Sequence, residues 1–310
     1  MKFVFMGTPE FAVPSLRAVN DADMEISLVV TQPDRKKGRG NIVQAPPVKT
    51  SAQELNIKLL QPETLKDKGI IRQLMGIRPQ AIIVVAYGQL IPKEILDIPQ
   101  YGCINVHASL LPKYRGAAPI HWAVINGEAK TGISIMQLDE GFDTGPILAQ
   151  QEVIIDGDDT TGSLHDKLAH VGARLLVETL KKLPKGISSS AQIEEFATYA
   201  PKLTRDIERI TWFKTAFEIH NLIRGLNPWP GAYTTLNGEY IKIWQSKIFD
   251  EQKVEGPPGT IVNANYHGGI IVQGGKGLID IRELQLAGKR RLTAQNFLLG
   301  FALKEGDIFV

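Results

Sequence analysis

Three polar residues suited to acyl transfer follow two strand-like runs of the sequence. Asn105 and His107 come directly after the apolar run 102–104 and stand two residues apart, so on an extended backbone their side chains share a face. Asp143 follows the second run, residues 132–137. A carboxylate folded beside His107 would orient the imidazole and favour its charged form. Because ligands of open α/β sheets bind where strand ends meet loops, we predict that this amide, imidazole and carboxylate form one site at adjoining strand ends.

These residue types fit the attack of an amine on a formyl carbon. The carbonyl oxygen gains negative charge in the tetrahedral intermediate, and Asn105 or protonated His107 can donate a hydrogen bond to it. With Asp143 beside it, His107 can relay the proton that the amine loses and the leaving nitrogen gains. The sequence has no Gly-x-Ser-x-Gly motif, so direct transfer is favoured over attack by Ser109. An isolated Asn-x-His pair at the end of a strand more often has only structural hydrogen bonds within the protein. The turn at 109–116 and the Asp143 loop favour a catalytic site instead.

The N-terminal part of the chain has the pattern of an α/β fold with a doubly wound, mostly parallel, Rossmann-like sheet. A strand at residues 3–6 turns at Gly7 into a helix that reaches about residue 19, and a strand at 25–31 follows. The β-branched run 81–86 predicts a central strand buried on both faces. Of the Gly-x-Gly-x-x-Gly fingerprint only Gly7 is present, which removes the main support for a nicotinamide cofactor.

The pattern changes after residues 184–190, which are rich in Pro, Gly and Ser and indicate a domain boundary. We therefore predict a catalytic domain at residues 1–189, a linker at 190–208 and a C-terminal domain at 209–310. Short strands separated by turn residues predict a small antiparallel, OB-like β-barrel in the C-terminal domain. These strands are expected at residues 232–236, 240–245, 259–262, 269–272, 278–281 and 283–286.

Composition and charge fit an ordinary globular protein. The 310 residues are 43% hydrophobic and 22% charged, and we find neither a signal segment nor an apolar run of about 18 residues, so we expect a cytoplasmic protein. The net charge is +2, and residues 201–310 hold 14 Lys/Arg against 11 Asp/Glu, too mild an excess to indicate nucleic-acid binding by itself. The single cysteine, Cys103, excludes an intramolecular disulfide and is expected to be a buried packing residue. We predict no metal site.

A cluster of cations lies in an unpatterned segment at residues 32–47. Arg35, Lys36, Lys37 and Arg39 fall within five positions, with glycine on both sides of Arg39. Because the segment has neither helical nor strand periodicity, we predict a mobile loop. Two interpretations remain open: a solvated surface charge run, or a flexible basic finger that binds phosphates.

Several motifs together resemble the folate-dependent formyltransferase family, in its branch that acts on methionyl-tRNA. The central motif is Asn105-Val106-His107-Ala108-Ser109-Leu110-Leu111-Pro112, followed by Tyr114-Arg115-Gly116-Ala117-Ala118-Pro119. The others, in the family's order, are Gly7-Thr8-Pro9-Glu10-Phe11, Thr31-Gln32-Pro33-Asp34-Arg35, Asp143-Thr144-Gly145 and Asn227-Pro228-Trp229-Pro230. Each motif alone is weakly specific, whereas the ordered set covers almost the whole chain.

The resemblance implies transfer of the formyl group of 10-formyltetrahydrofolate to the free amino group of methionine on initiator methionyl-tRNA, for translation initiation. It implies that Asn105, His107 and Asp143 carry the catalysis. It places folate against Ser109, Leu110, Leu111 and Pro112 and near Tyr87, Gly88, Gln89, Leu90 and Ile91. It assigns Arg35, Lys36, Lys37 and above all Arg39 to the acceptor end of the tRNA, and the C-terminal barrel to the tRNA body. We expect a monomer without membrane attachment.

Other functions have to be separated from this one. A formyltransferase acting on an amino sugar nucleotide would share the three catalytic residues, but the basic segment and the terminal barrel favour tRNA. A hydrolase that releases formate would need no amine. The absence of one of the three catalytic residues would favour a non-catalytic RNA-binding protein, but all three are present. The turn at Gly7 also departs from the phosphate-binding loop of the glycinamide formyltransferases, which disfavours a small ribonucleotide acceptor.

Overall fold

The computed structural model describes residues 1–37 and 42–310, with the backbone alone at Lys37. Contacts between Cα atoms group these residues into two compact units. The first comprises Met1–Gly116, Thr131–Ile154 and His165–Ala200, and the second comprises Ala117–Lys130, Ile155–Leu164 and Pro201–Val310. Two short segments that precede the predicted linker therefore group with the second unit. The domain boundaries at residues 189 and 209 remain a prediction.

Strands and helices alternate in the first part of the chain, and strands dominate the last hundred residues. The strands are β1 Lys2–Gly7, β2 Glu25–Val30, β3 Arg35–Lys37, β4 Ile42–Gln44, β5 Leu59–Leu60, β6 Ala81–Val85, β7 Cys103–His107, β8 Arg115–Gly116, β9 Lys130–Gln137, β10 Ile147–Ile154, β11 Tyr199–Ala200, β12 Ala232–Leu236, β13 Glu239–Asp250, β14 Ile261–Asn265, β15 Gly269–Gln273, β16 Leu278–Leu286 and β17 Leu292–Thr293. The helices are α1 Val13–Asp21, α2 Pro47–Glu54, α3 Lys68–Ile77, α4 Lys93–Leu96, α5 Pro119–Ile125, α6 Thr161–Lys182, α7 Ala216–Gly225 and α8 Ala294–Gly300. Within the described ranges, none of the helices combines the length and the apolar character needed to cross a membrane.

The first unit is built on a sheet with the strand order β10-β9-β7-β6-β1-β2-β5. Strands β7, β6, β1, β2 and β5 run parallel to one another, whereas β9 runs antiparallel to β7. Every residue of β6 and β7 is buried, as expected for central strands that are covered on both faces. The predicted α/β fold with a mostly parallel sheet is confirmed.

Two residues of this sheet, Gly7 and Cys103, have packing roles, and the sequence predicted that of Cys103. A Cβ at Gly7 would lie only 2.9 Å from the Ala12 side chain and 3.1 Å from the Val85 carbonyl oxygen, so the lone glycine serves close packing. Cys103 is 1% exposed, and burial raises the pKa of its thiol to about 12. A thiol that stays protonated is a poor nucleophile, so the prediction of a buried packing cysteine is confirmed.

The basic segment differs from the predicted loop. Strands β3 and β4 pair in antiparallel fashion, with Arg35 opposite Gln44, and form a ribbon. The side chain of Asp34, directly before the ribbon, accepts hydrogen bonds from Lys49 and Gln61. The hydrogen bond from Gln61 makes the largest contribution. Together with that from Lys49, it holds the pKa of the Asp34 carboxyl below its usual range. The prediction of a loop is therefore wrong for the paired residues, which form strands, while Arg39 lies outside the described residues.

The second unit contains an antiparallel sheet with the strand order β12-β13-β16-β15-β14, to which β17 adds beside β16. The strands predicted at 278–281 and 283–286 are one strand, β16. Gln245 of β13 pairs with Glu283 and Ser246 pairs with Ile281, which leaves Arg282 as the extra residue of a bulge. A bulge shifts the inward-facing positions by one residue, and this shift made one strand look like two in the sequence.

The C-terminal residues 306–310 connect the two edges of this sheet. The Phe309 backbone N–H donates to the Gly259 carbonyl oxygen beside β14 (2.9 Å). Val310 exchanges two backbone hydrogen bonds with Thr235 of β12 (2.9 and 3.0 Å). Because these bonds pair backbone groups at both edges, they close the antiparallel sheet into a barrel.

We expect Phe309→Ala to destabilise the second unit. The ring is 1% exposed and stacks on Trp212 with a centroid distance of 5.6 Å, so its loss leaves a cavity where the barrel closes. The free energy of unfolding of this unit, measured by urea denaturation of the full chain, should fall by about 3–5 kcal/mol. Phe249→Ala is the control, since that ring is 59% exposed. Equal losses for the two variants would contradict the closure by Phe309.

Candidate active site

Strand β7 presents Asn105 and His107 on the same face of the sheet of the first unit. The strand continues through both residues instead of ending before them, and their exposed fractions are 9% and 6%. Asn105 lies opposite Val84 of the parallel strand β6, and His107 lies opposite Ser134 of the antiparallel strand β9. The predicted shared face is thus confirmed by the strand geometry.

The environment of His107 defines which ring nitrogen can exchange a proton. Its Nε2 lies 2.9 Å from the carbonyl oxygen of Tyr114. A carbonyl oxygen can only accept, so Nε2 carries a hydrogen and donates it. The other nitrogen, Nδ1, lies 3.6 Å from Oδ2 of Asp143. Nδ1 is therefore the position at which a proton can be gained or lost, and a carboxylate faces it when the ring becomes positively charged.

Asp143 reaches His107 by a different route from the predicted one. Because β9 is antiparallel to β7, its last residue, Gln137, lies opposite Ile104, at the far end of β7 from His107. The prediction that the carboxylate and the imidazole follow adjoining strand ends is therefore wrong. The loop 138–146 instead carries Asp143 back, and its Oδ2 accepts a 2.9 Å hydrogen bond from the Gly116 backbone N–H.

Local chemistry explains how the loop 138–146 forms. Asp139 Oδ1 accepts hydrogen bonds from the Gly141 N–H and the Thr144 hydroxyl (3.0 and 2.7 Å). Gly145 passes so close to Gln137 that a Cβ would overlap the Gln137 carbonyl oxygen. Asp143 itself adopts a left-handed backbone conformation with φ +55°, which Asp tolerates better than most residues. The Asp-Thr-Gly motif thus has a structural reason as well as a chemical one.

The turn after β7 is held by its own hydrogen bonds. The Ser109 hydroxyl is fully buried and donates to the Lys113 carbonyl oxygen (2.6 Å), which fits the prediction that it is not a nucleophile. Ser134 was missed by sequence reasoning, yet its hydroxyl donates to the Ser109 carbonyl oxygen and accepts from the Leu111 N–H. In this turn Ser109 and Leu111 are buried, whereas Leu110 and Pro112 are partly exposed.

The loop after β6 starts at the same sheet edge as the turn after β7, because these neighbouring strands are parallel. Tyr87 is 2% exposed, and burial raises its pKa to about 12. Gly88 has φ +89°, and nothing within 4 Å would contact a Cβ there. Gln89 is engaged internally, since its amide accepts from the Leu65 N–H and donates to Gln32. Leu90 is 61% exposed and offers an accessible apolar contact.

The segment 190–200 supplies residues that sequence reasoning did not single out. The Gln192 amide donates to the carbonyl oxygens of Asp143 and Gly145, both at 2.8 Å. Arg115, which is 1% exposed, donates to Gln192 and to Glu194. The sequence predicts a linker here, because the segment follows the boundary that residues 184–190 indicate. A signal for it is absent from the sequence, since these contacts join residues 47 to 79 positions apart.

Comparisons with known proteins agree with this geometry. A family model described as formyl transferase matches residues 1–180, and one described as formyl transferase, C-terminal domain, matches residues 202–302. The chain belongs to the formyl transferase family.

Curated members of this family resemble the chain over its full length. A methionyl-tRNA formyltransferase of Pelotomaculum thermopropionicum is 51% identical over 308 residues, which cover 99% of this chain and 98% of the relative. A methionyl-tRNA formyltransferase of Halothermothrix orenii is 48% identical, with 99% of both chains covered. The similarity therefore extends over both structural units.

Solved structures with lower sequence identity share the formyl transferase fold. A sugar N-formyltransferase, WlaRD, solved with dTDP and 5-N-formyl-THF, superimposes with a TM-score of 0.65 at 22% identity and covers 94% of this chain and 99% of its own. HypX from Aquifex aeolicus, solved with tetrahydrofolic acid, gives a TM-score of 0.63 at 15% identity, with 99% of this chain and 50% of HypX covered. At these identities the likeness concerns the fold alone.

The side-chain amide of Asn105 is available to a ligand at this strand end. This side chain is nearly buried, and within the described part of the chain it makes no side-chain hydrogen bond. An amide N–H without a partner in the protein is available to donate a hydrogen bond to a bound molecule. The residues present therefore suit a ligand that brings a carbonyl oxygen to this strand end.

Proposed function

We propose that this chain transfers the formyl group of 10-formyltetrahydrofolate to the amino group of methionine on initiator methionyl-tRNA. The observation that carries the proposal is the 51% identity, over almost the full length of both chains, to a methionyl-tRNA formyltransferase. The geometry of the first unit supports it, because an amide, an imidazole and a carboxylate meet at one strand end. The proposed acceptor is a charged tRNA, so the reaction belongs to the cytoplasm.

Each of the three residues has a distinct part in the proposed chemistry. When bound, 10-formyltetrahydrofolate supplies a formyl carbon attached to nitrogen. The Asn105 amide donates a hydrogen bond to the formyl oxygen as this oxygen gains negative charge. His107 takes a proton at Nδ1 from the attacking amine and returns it to the leaving nitrogen, while Asp143 stabilises the positive ring between these two events. One carbon–nitrogen bond forms, one breaks, and the proton count is unchanged.

The proposed folate site lies between the loops that follow β6 and β7. Leu90, Leu110 and Pro112 are apolar residues of these loops that are exposed or partly exposed, and they would offer contacts to a pterin ring. Gly88 leaves space for a ring to approach the backbone. The other residues of these loops would shape the site without exposed apolar contacts. Internal hydrogen bonds or burial hold Ser109, Leu111 and Gln89, and the side chains of Tyr87 and Ile91 are buried.

We assign the acceptor end of the tRNA to the ribbon and the tRNA body to the barrel. Arg35 and Lys36 are exposed on β3, and the hydrogen bonds of Asp34 anchor the start of the ribbon. Cations on an extended ribbon suit phosphate contacts that position an RNA without reading its sequence. Arg39 remains the first choice within this group on the ground of its position in the sequence. A single copy of the chain suffices for these assignments, and we propose a monomer.

Removal of the Arg39 charge should weaken formylation of charged tRNA. In Arg39→Ala we expect a higher KM for tRNA at low salt and a smaller difference at high salt, because one phosphate contact is lost. Lys185→Ala, which removes an exposed cation elsewhere in the first unit, is the control and should keep the wild-type KM. Equal kinetics of the wild type and Arg39→Ala at both salt concentrations would argue against the basic finger.

The decisive experiment compares acceptors. Purified protein is incubated with 10-formyltetrahydrofolate and either initiator or elongator methionyl-tRNA, and formyl-methionine is counted after hydrolysis of the ester. We expect transfer to the initiator species alone. Transfer to an amino sugar nucleotide with none to tRNA would replace the proposed acceptor, and release of formate without an amine would indicate a hydrolase.

A further inference from the structure

The segment 190–200 is linked by hydrogen bonds to both members of the proposed proton relay, to Asp143 directly and to His107 through Tyr114. Thr198 accepts a hydrogen bond from the Arg115 N–H at its carbonyl oxygen (2.8 Å) and one from the Tyr114 N–H at its hydroxyl (2.9 Å). Tyr114 in turn holds the His107 ring through its carbonyl oxygen. Strand β11 of the segment also pairs with β8. The segment is thus linked to His107 by way of Tyr114 and Arg115.

Gln192 ties the segment to the other member of the relay. Its Nε2 donates to the carbonyl oxygens of Asp143 and Gly145, and its Oε1 accepts from Nε of Arg115 at 3.0 Å. These partners define the orientation of the amide. In the flipped orientation the amide NH2 would face the arginine N–H and the amide oxygen would face two carbonyl oxygens. Only a primary amide can meet both demands at this position.

The burial of Arg115 shows that the contact with Gln192 is built into the fold. Its side chain is 1% exposed, and its Nη1 lies 2.8 Å from a carboxylate oxygen of Glu194. A charge removed from water is costly unless it is paired and hydrogen-bonded, and Gln192 and Glu194 provide those partners. Glu194 is itself 71% exposed, so it anchors the arginine from the surface. The arginine therefore has a defined position from which it holds the Gln192 amide.

The conformation of Asp143 explains what this arrangement achieves. A non-glycine residue at φ +55° costs free energy and persists where its surroundings over-determine it. Gln192 binds the backbone oxygen of Asp143, while the Gly116 N–H binds its carboxylate. Together they hold the backbone and the side chain, so that Oδ2 stays 3.6 Å from Nδ1 of His107.

We propose that Gln192, held by Arg115, is a positioning residue that keeps Asp143 facing His107. The proposal rests on the proposed function, because it assigns to Asp143 the stabilisation of the His107 cation. It makes Gln192, which lies in a segment that the sequence presents as a linker, part of the machinery that sets the rate of transfer.

Gln192→Ala tests the proposal in formyl transfer assays with methionyl-tRNA. We expect kcat to fall by about 10- to 100-fold with KM for folate unchanged, because a misplaced catalytic group loses rate more than binding. In Gln192→Glu we expect kcat to fall at least as far. The carboxylate keeps one oxygen that accepts from Arg115, but its other oxygen faces two carbonyl oxygens to which it cannot donate. Glu195→Ala, an exposed neighbour on the same segment, should keep the wild-type kcat. A wild-type kcat in Gln192→Ala overturns the proposal.

A double-mutant cycle with Asp143→Asn separates positioning from a general loss of structure. If Gln192 acts through the Asp143 carboxylate, Gln192→Ala should lower kcat far less in the Asp143→Asn background than in the wild type. Equal fold-losses in the two backgrounds would show a merely structural role and overturn the proposal.

A readout without turnover distinguishes failure of this proposal from failure of the proposed function. Hydrogen exchange of residues 138–146, followed by mass spectrometry, should be faster in Gln192→Ala than in Glu195→Ala, because the loop loses two hydrogen bonds. A wild-type chain that formylates no methionyl-tRNA overturns the proposed function, whatever the exchange shows. Unchanged exchange in Gln192→Ala overturns the positioning role even where wild-type formylation is normal.

Discussion

His107→Ala should lower kcat for formyl transfer at least ~100-fold, the low end for loss of a general acid–base group. The physical reason is that Nδ1 is the ring position free to exchange a proton, since Nε2 is engaged by the Tyr114 carbonyl oxygen. Alanine can neither accept the proton of the attacking amine nor return one to the leaving nitrogen. Initial rates under saturating folate and methionyl-tRNA measure the effect.

Folate binding separates a catalytic loss from a damaged site in His107→Ala. The affinity for tetrahydrofolate, measured by quenching of protein fluorescence, should stay close to the wild-type value because the proposed folate contacts come from other residues. A matched control exists in the same unit, where His165 Nδ1 lies 2.9 Å from Asp166 on the surface of α6. His165→Ala should leave kcat unchanged. Undiminished turnover in His107→Ala would remove the histidine from the mechanism.

Asp143→Asn should lower kcat on the order of 10²–10³-fold, the range found when one preorganised electrostatic partner is removed. The substitution keeps the shape of the side chain, keeps an oxygen that can accept from the Gly116 N–H, and suits the left-handed backbone. It removes the negative charge that faces His107 Nδ1 at 3.6 Å. The loss of rate would therefore report the charge rather than the fold.

The exposed histidine–aspartate contact again provides the comparison for Asp143→Asn. Asp166→Asn makes the same chemical change beside His165 and should leave kcat at the wild-type value. The thermal unfolding midpoint of both variants should match the wild type, because neither substitution changes side-chain volume in the core. If Asp143→Asn retained the wild-type rate, the carboxylate would have no electrostatic role in the transfer.

Much of the fold could be predicted because burial leaves a periodic trace in neighbouring residues. The continuous apolar run at β6 indicated a central parallel strand, and the helix predicted to reach about residue 19 agrees with α1, Val13–Asp21. The residue types of the site could be predicted for the same local reason, since Asn105 and His107 belong to one strand. The predicted boundaries of β16 were wrong because a bulge at Arg282 interrupts the periodicity.

The sequence by itself determined the type of sheet, the existence of a second β unit and the chemical groups available for catalysis. Only the tertiary structure decided that β9 runs antiparallel to β7, that a returning loop brings Asp143 to His107, and that Gln192 and Arg115 hold this loop. The tertiary structure also decided that the last residues close the barrel through Thr235 and Gly259. Periodicity records which face of an element is buried, and this information is local. The direction of a strand and the partner of a hydrogen bond depend on segments dozens of residues apart, which meet only when the whole chain packs.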